Sequence, residues 1–260
     1  MFRLLCVLSA ALTFAACGSR SLENQSSNPS IVGGELVIAS DPIVRSTVAL
    51  LTPAGHTFCT GSLITSQLVV TAGHCLDGYE DSKLYVAFGT VSQAGSLSRD
   101  RLRAAKSYQV HESFSEAAMD SADAATIPND IALLKLSEPA PSGFIPVTAL
   151  TGSDALTVGE PLTLAGFGKT RWNSNDGGVL YQVTTKLTGV RDSMKEIEFG
   201  GRPGHSACNG DSGGPAFVTR SGHLVLVGVT SRGSKHCDER GIYTDVRQFS
   251  SWLNATATAL

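Results

Sequence analysis

Charge is scarce in this chain. Asp, Glu, Lys and Arg make up 17% of its 260 residues, below the ~25% of an average soluble protein, while the 42% apolar fraction is ordinary. That balance excludes a disordered chain, which needs high charge and few large apolar residues. Blocks of Lys and Arg are missing and the net charge is −3, so neither nucleic acid nor an anionic membrane surface is called as a partner. No CxxC or HxxxH spacing accompanies the cysteines, and the six histidines are scattered. No metal and no cofactor are therefore assigned. There is no internal repeat. The length suffices for one large or two small domains with a proper core, so no covalent staple is strictly required.

What is present begins with an apolar run in the first seventeen residues, MFRLLCVLSAALTFAAC. It carries one early positive charge at Arg3, is too short to span a bilayer comfortably, and ends in small residues, which reads as a secretory signal. Phe14-Ala15-Ala16-Cys17 also resembles a bacterial lipobox, in which Cys17 becomes the lipidated first residue and tethers the chain to a membrane. Phe14 stands where Leu is usual, so ordinary cleavage near Cys17 or Gly18 is the alternative. The expected location is secreted, periplasmic or attached to the outer membrane. With Cys6 and Cys17 in the signal, Cys59, Cys75, Cys208 and Cys237 meet an oxidising compartment, where disulfides are expected and their pairing is open.

Residues 18–30, GSRSLENQSSNPS, are polar and cannot bury a core, so they read as a linker or propeptide. From Ile31 onward the apolar runs are short and bounded by Gly, Pro, Ser and Asp: 68–70, 84–88, 131–136, 161–167, 179–190 and 223–229. This spacing predicts an all-β sandwich or barrel. The stretch 138–147 holds three prolines and a glycine and reads as a connection between two halves. Near the end, Phe249, Trp252 and Leu253 fall on one face of a predicted helix.

Four segments carry chemistry: IVGG at 31–34, TAGHC at 71–75, NDIALLKL at 129–136 and CNGDSGGP at 208–215. A serine hydroxyl is too weak an acid to attack a peptide unaided at neutral pH, so it needs a base within hydrogen-bonding reach. Glycines beside such a serine let backbone N–H groups approach a developing oxyanion. In this order the four segments resemble the chymotrypsin/trypsin-like serine protease family, over 31–260, in a secreted bacterial form. The resemblance implies two antiparallel six-stranded β-barrels with the active site between them and a C-terminal helix. The first barrel is expected at about 31–140, the second at about 146–245, and the helix at about 246–260.

The resemblance further implies roles. His74 is the base, Asp130 orients it and Ser212 is the nucleophile. Gly210 and Ser212 supply the oxyanion-hole N–H groups, and Ser231 matches the serine that hydrogen-bonds the triad aspartate. Cys59–Cys75 and Cys208–Cys237 match two family disulfides. Ile31 and Asp211 match the pair formed when a precursor is cut before the first residue of IVGG, so an inactive precursor and an unknown activating protease are expected. Protein or peptide substrates are the implied partners. Ser206 matches the pocket floor, with Ser231, Gly233 and Gly241 around it. An uncharged floor and side-chain-free walls predict cleavage after large apolar residues. The alternative is a basic preference supplied by Asp238 or Glu239 in the loop from Cys237 to Gly241, which is two or three residues shorter than in familiar relatives.

Several positions depart from the family pattern. Gly73 replaces a usual alanine, Thr60 a glycine, Phe167 a tryptophan and Arg232 a tryptophan that forms an apolar subsite wall. The interval between His74 and Asp130 is lengthened by a polar stretch around 116–126, and no acidic calcium-ligand pattern is recognisable in 77–95. Two rival functions are weighed. A catalytically inactive binding homologue is disfavoured because every motif residue is present. An esterase or lipase is excluded by the order His, Asp, Ser.

Overall fold

The computed structural model describes residues 31, 33–80, 83–92, 97–119, 128–200, 206–237 and 240–260. The signal, the lipobox, the 18–30 segment, most of the polar stretch before Asp130, and Asp238 and Glu239 lie outside the described residues.

A two-residue strand, β1 (Glu35–Leu36), precedes a first barrel built from β2 (Thr47–Leu51), β3 (Thr57–Leu63), β4 (Leu68–Thr71), β5 (Tyr85–Phe88), β6 (Leu102–Val110) and β7 (Ala132–Leu136). Leucine, valine, alanine and threonine make up most of these runs, and β2 and β4 are buried along their whole length, as expected of strands packed on both faces. The strands close in the order β2-β3-β4-β7-β6-β5, with β5 returning to β2.

After β8 (Thr148–Ala149), the second barrel comprises β9 (Pro161–Gly166), β10 (Tyr181–Arg191), β11 (Glu196–Phe199), β12 (Pro215–Arg220), β13 (His223–Gly233) and β14 (Gly241–Asp245). Its ring runs β9-β10-β11-β14-β13-β12 and closes through β12–β9 pairing, while β1 adds to β10. All pairings around both rings are antiparallel. In β10 the inward set Tyr181, Val183, Thr185 and Leu187 alternates with less buried residues, the period-two pattern of a barrel wall. The β12–β13 hairpin turns at Ser221-Gly222, both with positive φ (+50° and +79°), the geometry that matches strand twist in a two-residue loop.

One apolar cluster fills the first barrel and continues across the seam through Ala165, Phe217, Leu226 and Val229, and a second lies within the other barrel. The chain ends with α3 (Ser250–Ala259), which follows the short helices α1 (Gly73–Leu76) and α2 (Glu116–Met119). Leu253 joins the larger, seam-spanning cluster, and Trp252 Nε1 donates to Glu112 Oε2, beyond β6, at 2.8 Å, so this helix docks on the first barrel. At its entrance the Asp245 carboxylate accepts Arg247 N–H and pairs with the Arg247 guanidinium at 2.6 Å, both side chains being buried.

Candidate active site

Strand pairing accounts for the first contact of the site. β4 and β7 are neighbours, with Thr71 opposite Ala132. The residues just beyond β4 and just before β7 therefore meet at one barrel rim, and these are His74, on α1, and Asp130. Asn129 adopts φ +49°, a conformation Asn tolerates better than most residues, and its carbonyl accepts Ile131 N–H in a tight turn. That turn presents Asp130 to His74. The Asp130 carboxylate holds the histidine twice: Oδ1 accepts His74 N–H at 2.9 Å, and Oδ2 lies 2.8 Å from Nδ1. Asp130 is 1% exposed and the His74 side chain 22%. With Nδ1 turned to the carboxylate, Nε2 is the ring nitrogen left to exchange a proton.

The second barrel completes the aspartate's shell. The β13–β14 register shifts between Thr230 and Arg232, which makes Ser231 the extra residue of a bulge. Bulges re-aim side chains. Here Ser231 Oγ donates to Asp130 Oδ2 at 2.7 Å, and Thr244 Oγ1 donates to the Asp130 carbonyl at 2.8 Å.

Ser212 sits in the loop before β12, its carbonyl accepting Thr60 N–H at 2.8 Å. The loop is pinned by Gly213 N–H to Thr230 O, Gly214 N–H to Asp211 O, and Asp211 N–H to Cys208 O. Among the described residues, no acceptor takes the N–H of Gly210 or of Ser212. Gly210 has φ +98°, and a Cβ there would stand 2.9 Å from Gly168 Cα, so only glycine fits. Ser212 Oγ makes no hydrogen bond to His74; such contacts commonly close only with substrate bound.

Asp211 is fully buried. Its carboxylate accepts the N–H groups of Gly168 and Cys208, each at 2.8 Å, and burial pushes its pKa up to about 7 despite those bonds. No cation faces it among the described residues. Ile31 is 1% exposed within the second-barrel core, with φ +54°.

Both disulfides are formed as the resemblance implies, Cys59–Cys75 beside His74 and Cys208–Cys237 beside Ser212. Cys59, His74 and Cys75 lie together, but both sulfurs are bonded to each other, so the group offers only an imidazole to a metal.

Two cavities flank the 209–212 segment. One, of about 350 Å³, is lined by Ser212, Ser231, Gly233 and Lys235 among others. The other, of about 530 Å³, lies beside Gly210 and is lined by Phe58, Phe167 and Lys169. Of the expected pocket residues, Ser231 and Gly233 line the first cavity. Ser206 is fully buried, its Oγ donating to Ala207 O at 3.3 Å, and is not on the cavity wall. Gly241 is also off that wall: a Cβ on it would stand 2.1 Å from Cζ of Phe199, whose ring packs against Tyr243.

One charged network lies outside the motifs marked in the sequence. Arg232 turns to Glu196, 3% exposed, at 2.6 Å, and Arg191 bridges Glu196 and Glu198 at 3.1 and 3.2 Å. The alternation Glu196-Ile197-Glu198 on a strand was the available signal, since it sets both carboxylates on one face.

A pair of antiparallel six-stranded barrels with an imidazole–carboxylate pair and a glycine-flanked serine at their seam defines the class of trypsin-fold serine proteases. Comparison with known proteins agrees: the family model described as Trypsin matches residues 31–253, and the chain belongs to the trypsin family. It is 30% identical to coagulation factor XII of Sus scrofa over 94% of this chain and 42% of that protein. It is also 30% identical to a trypsin of Phaedon cochleariae over 76% of this chain and 78% of that protein. The chain thus spans less than half the length of the coagulation factor.

Proposed function

We propose that this chain is a secreted serine endopeptidase acting through an acyl-enzyme. Ser212 Oγ attacks the peptide carbonyl carbon while His74 Nε2 takes its proton. The carbonyl oxygen becomes an oxyanion facing the N–H groups of Gly210 and Ser212. The C–N bond then breaks, with His74 returning the proton to the leaving amine, and water repeats the sequence to release the acid. Asp130 keeps His74 in the required tautomer and stabilises its cation. The observation that carries this reading is the Asp130 carboxylate, bonded at once to both nitrogens of the His74 residue that face it and to Ser231 of the other barrel.

The reading includes a precursor cut between Ser30 and Ile31. Two features support it. Among the described residues no cation faces the buried Asp211 carboxylate, and a new N-terminal ammonium would supply one. Ile31 is β-branched yet holds φ +54°, a conformation costing on the order of 1–2 kcal/mol that disappears when the preceding peptide bond is cut. Lipidation of Cys17 would tether the precursor, and the cut would release the enzyme. No helix among the described residues is long and apolar enough to cross a membrane.

For the residue before the scissile bond, the reading favours large apolar side chains. No carboxylate lines the cavity beside Ser212 among the described residues, and Lys235 at its wall disfavours a second cation. The test is N-terminal sequencing of the active protein, followed by kinetics on matched peptides with Phe or Arg before the scissile bond. An N-terminus at Ile31 and faster Phe cleavage are expected. Full activity with residues before Ile31 retained would refute the activation step, and an Arg preference would refute the pocket reading.

A further inference from the structure

Gly210 joins two peptide planes, and a residue without Cβ has the least intrinsic resistance to turning either of them. Both planes are nonetheless held. On one side, Lys169 N–H donates to Asn209 O at 2.9 Å. Because the peptide is trans and planar, fixing that carbonyl fixes the opposed Gly210 N–H. On the other side, Thr60 Oγ1 donates to Gly210 O at 2.8 Å and accepts Phe167 N–H at 3.1 Å. Thr60 is fully buried. Its own N–H holds the Ser212 carbonyl at 2.8 Å, its carbonyl accepts Thr71 Oγ1 at 2.8 Å, and its methyl stands 3.1 Å from the Cβ position of Gly214. A single hydroxyl on the first barrel therefore ties the nucleophile loop to the 167–169 segment. A glycine at this position would tie neither.

We propose that Thr60 is a positioning residue for the oxyanion hole: its hydroxyl locks the Gly210–Asp211 plane on one side of Gly210 while Lys169 N–H holds the Asn209–Gly210 plane on the other, so that Gly210 cannot pivot and its N–H stays aimed where charge develops on the substrate oxygen. The inference rests on the role of Gly210 given above. Without the hydroxyl, Gly210 O and Phe167 N–H lose a buried partner, and the loop gains orientations in which the donor points away.

The test compares two matched pairs in the mature protein, wild type against Thr60→Val and Thr60→Ser against Thr60→Ala, each differing chiefly in the hydroxyl. Within each pair, loss of the hydroxyl is expected to lower kcat by about tenfold while KM stays within about twofold, the pattern of an interaction made in the transition state. A peptide aldehyde, whose adduct with Ser212 carries the oxyanion, should bind about tenfold more weakly without the hydroxyl, and the matching peptide alcohol should bind as before. Loss of kcat and of alcohol binding together would mark a merely structural role and overturn the proposal. So would hydroxyl-deleted variants as active as their partners. If the Val variant does not fold, the Ser/Ala pair decides the question by the same readouts. A wild type that neither hydrolyses peptides nor labels at Ser212 would sink the functional reading along with this one, and that failure is visible without any variant.

Discussion

Ser231 Oγ reaches Asp130 Oδ2 across the seam between the barrels, at 2.7 Å, from the bulged position of β13. The bond ties the carboxylate that orients His74 to the strand lining the cavity beside Ser212. Ser231→Ala leaves Asp130 held by His74 N–H but removes a donor from a buried carboxylate, a loss on the order of 1.5–3 kcal/mol. The expected outcome is a kcat roughly tenfold or more below wild type, with a smaller change in KM. Steady-state kinetics on one peptide substrate checks this, and an unchanged kcat would contradict it.

Asp211 gives the uncleaved chain a pH signature. Its folded pKa, raised to about 7, lies above the ordinary value of ~3.9. Between those values the folded precursor keeps a proton the unfolded chain has lost. Its stability from this group is therefore full below about pH 4 and declines as pH rises through about 7. Urea midpoints at several pH values should show this decline in the precursor and its absence in Asp211→Asn. A form cut before Ile31, as proposed above, would bring an ammonium to the carboxylate and should also lack it. Parallel profiles for precursor and Asp211→Asn would rule the account out.

Arg232 supports Glu196, which is almost fully buried. Arg232→Met keeps most of the apolar stem but strips a charged partner from that carboxylate, leaving Arg191 alone to compensate. A destabilisation of about 1–3 kcal/mol is expected, read as a lower denaturation midpoint. Pairing the change with Glu196→Gln should recover much of the loss, because no uncompensated charge then remains. No recovery in the double variant would show that the pair does not account for the loss.

His111 packs on Phe249 and Trp252, with ring centroids 5.3 and 5.0 Å away. Burial lowers its pKa, outweighing the opposing pull of Glu112 and joined by the nearby Lys195. In the unfolded chain the imidazole takes its proton near pH 6.5, so the stability it contributes is present above that value and is lost as pH falls towards the depressed folded pKa. His111→Phe should remove this acid-side loss. Thermal melts between pH 7.5 and 5 would show a smaller drop in the variant, and an equal drop would contradict the assignment.

The contact of His74 with Asp130 was legible because each sits in a short string whose neighbours define it, the string around Ser212 marked it as the candidate beside them, and the strands were legible because their apolar runs are short and punctuated. The helix face of Phe249, Trp252 and Leu253 was visible too, although Phe249 itself lies in a 3-10 turn, Val246–Phe249, just before α3. What stayed hidden depends on register between distant strands. Phe199 packs against Gly241 only because β11 pairs with β14 in that alignment. The Ser231–Asp130 bond was expected from the family resemblance, but the bulge of β13 that delivers it is announced by no residue of VTSRG. Thr60 stood out in the sequence merely as a departure from glycine, since Phe167 and Gly210, the partners of its hydroxyl, lie far along the chain.

The central claim is that Ser212 is the nucleophile of an acyl-transfer site. Its most direct test is treatment of the mature protein with diisopropyl fluorophosphate, followed by intact-mass measurement and peptide mapping. One adduct per chain, located on Ser212, with loss of peptide hydrolysis in step with labelling, is the predicted result. Ser212→Ala should take no label and keep less than about a thousandth of wild-type activity, the remainder due to binding and the oxyanion hole. Label on another residue, or a Ser212→Ala protein that still hydrolyses peptides well above that level, would contradict the account.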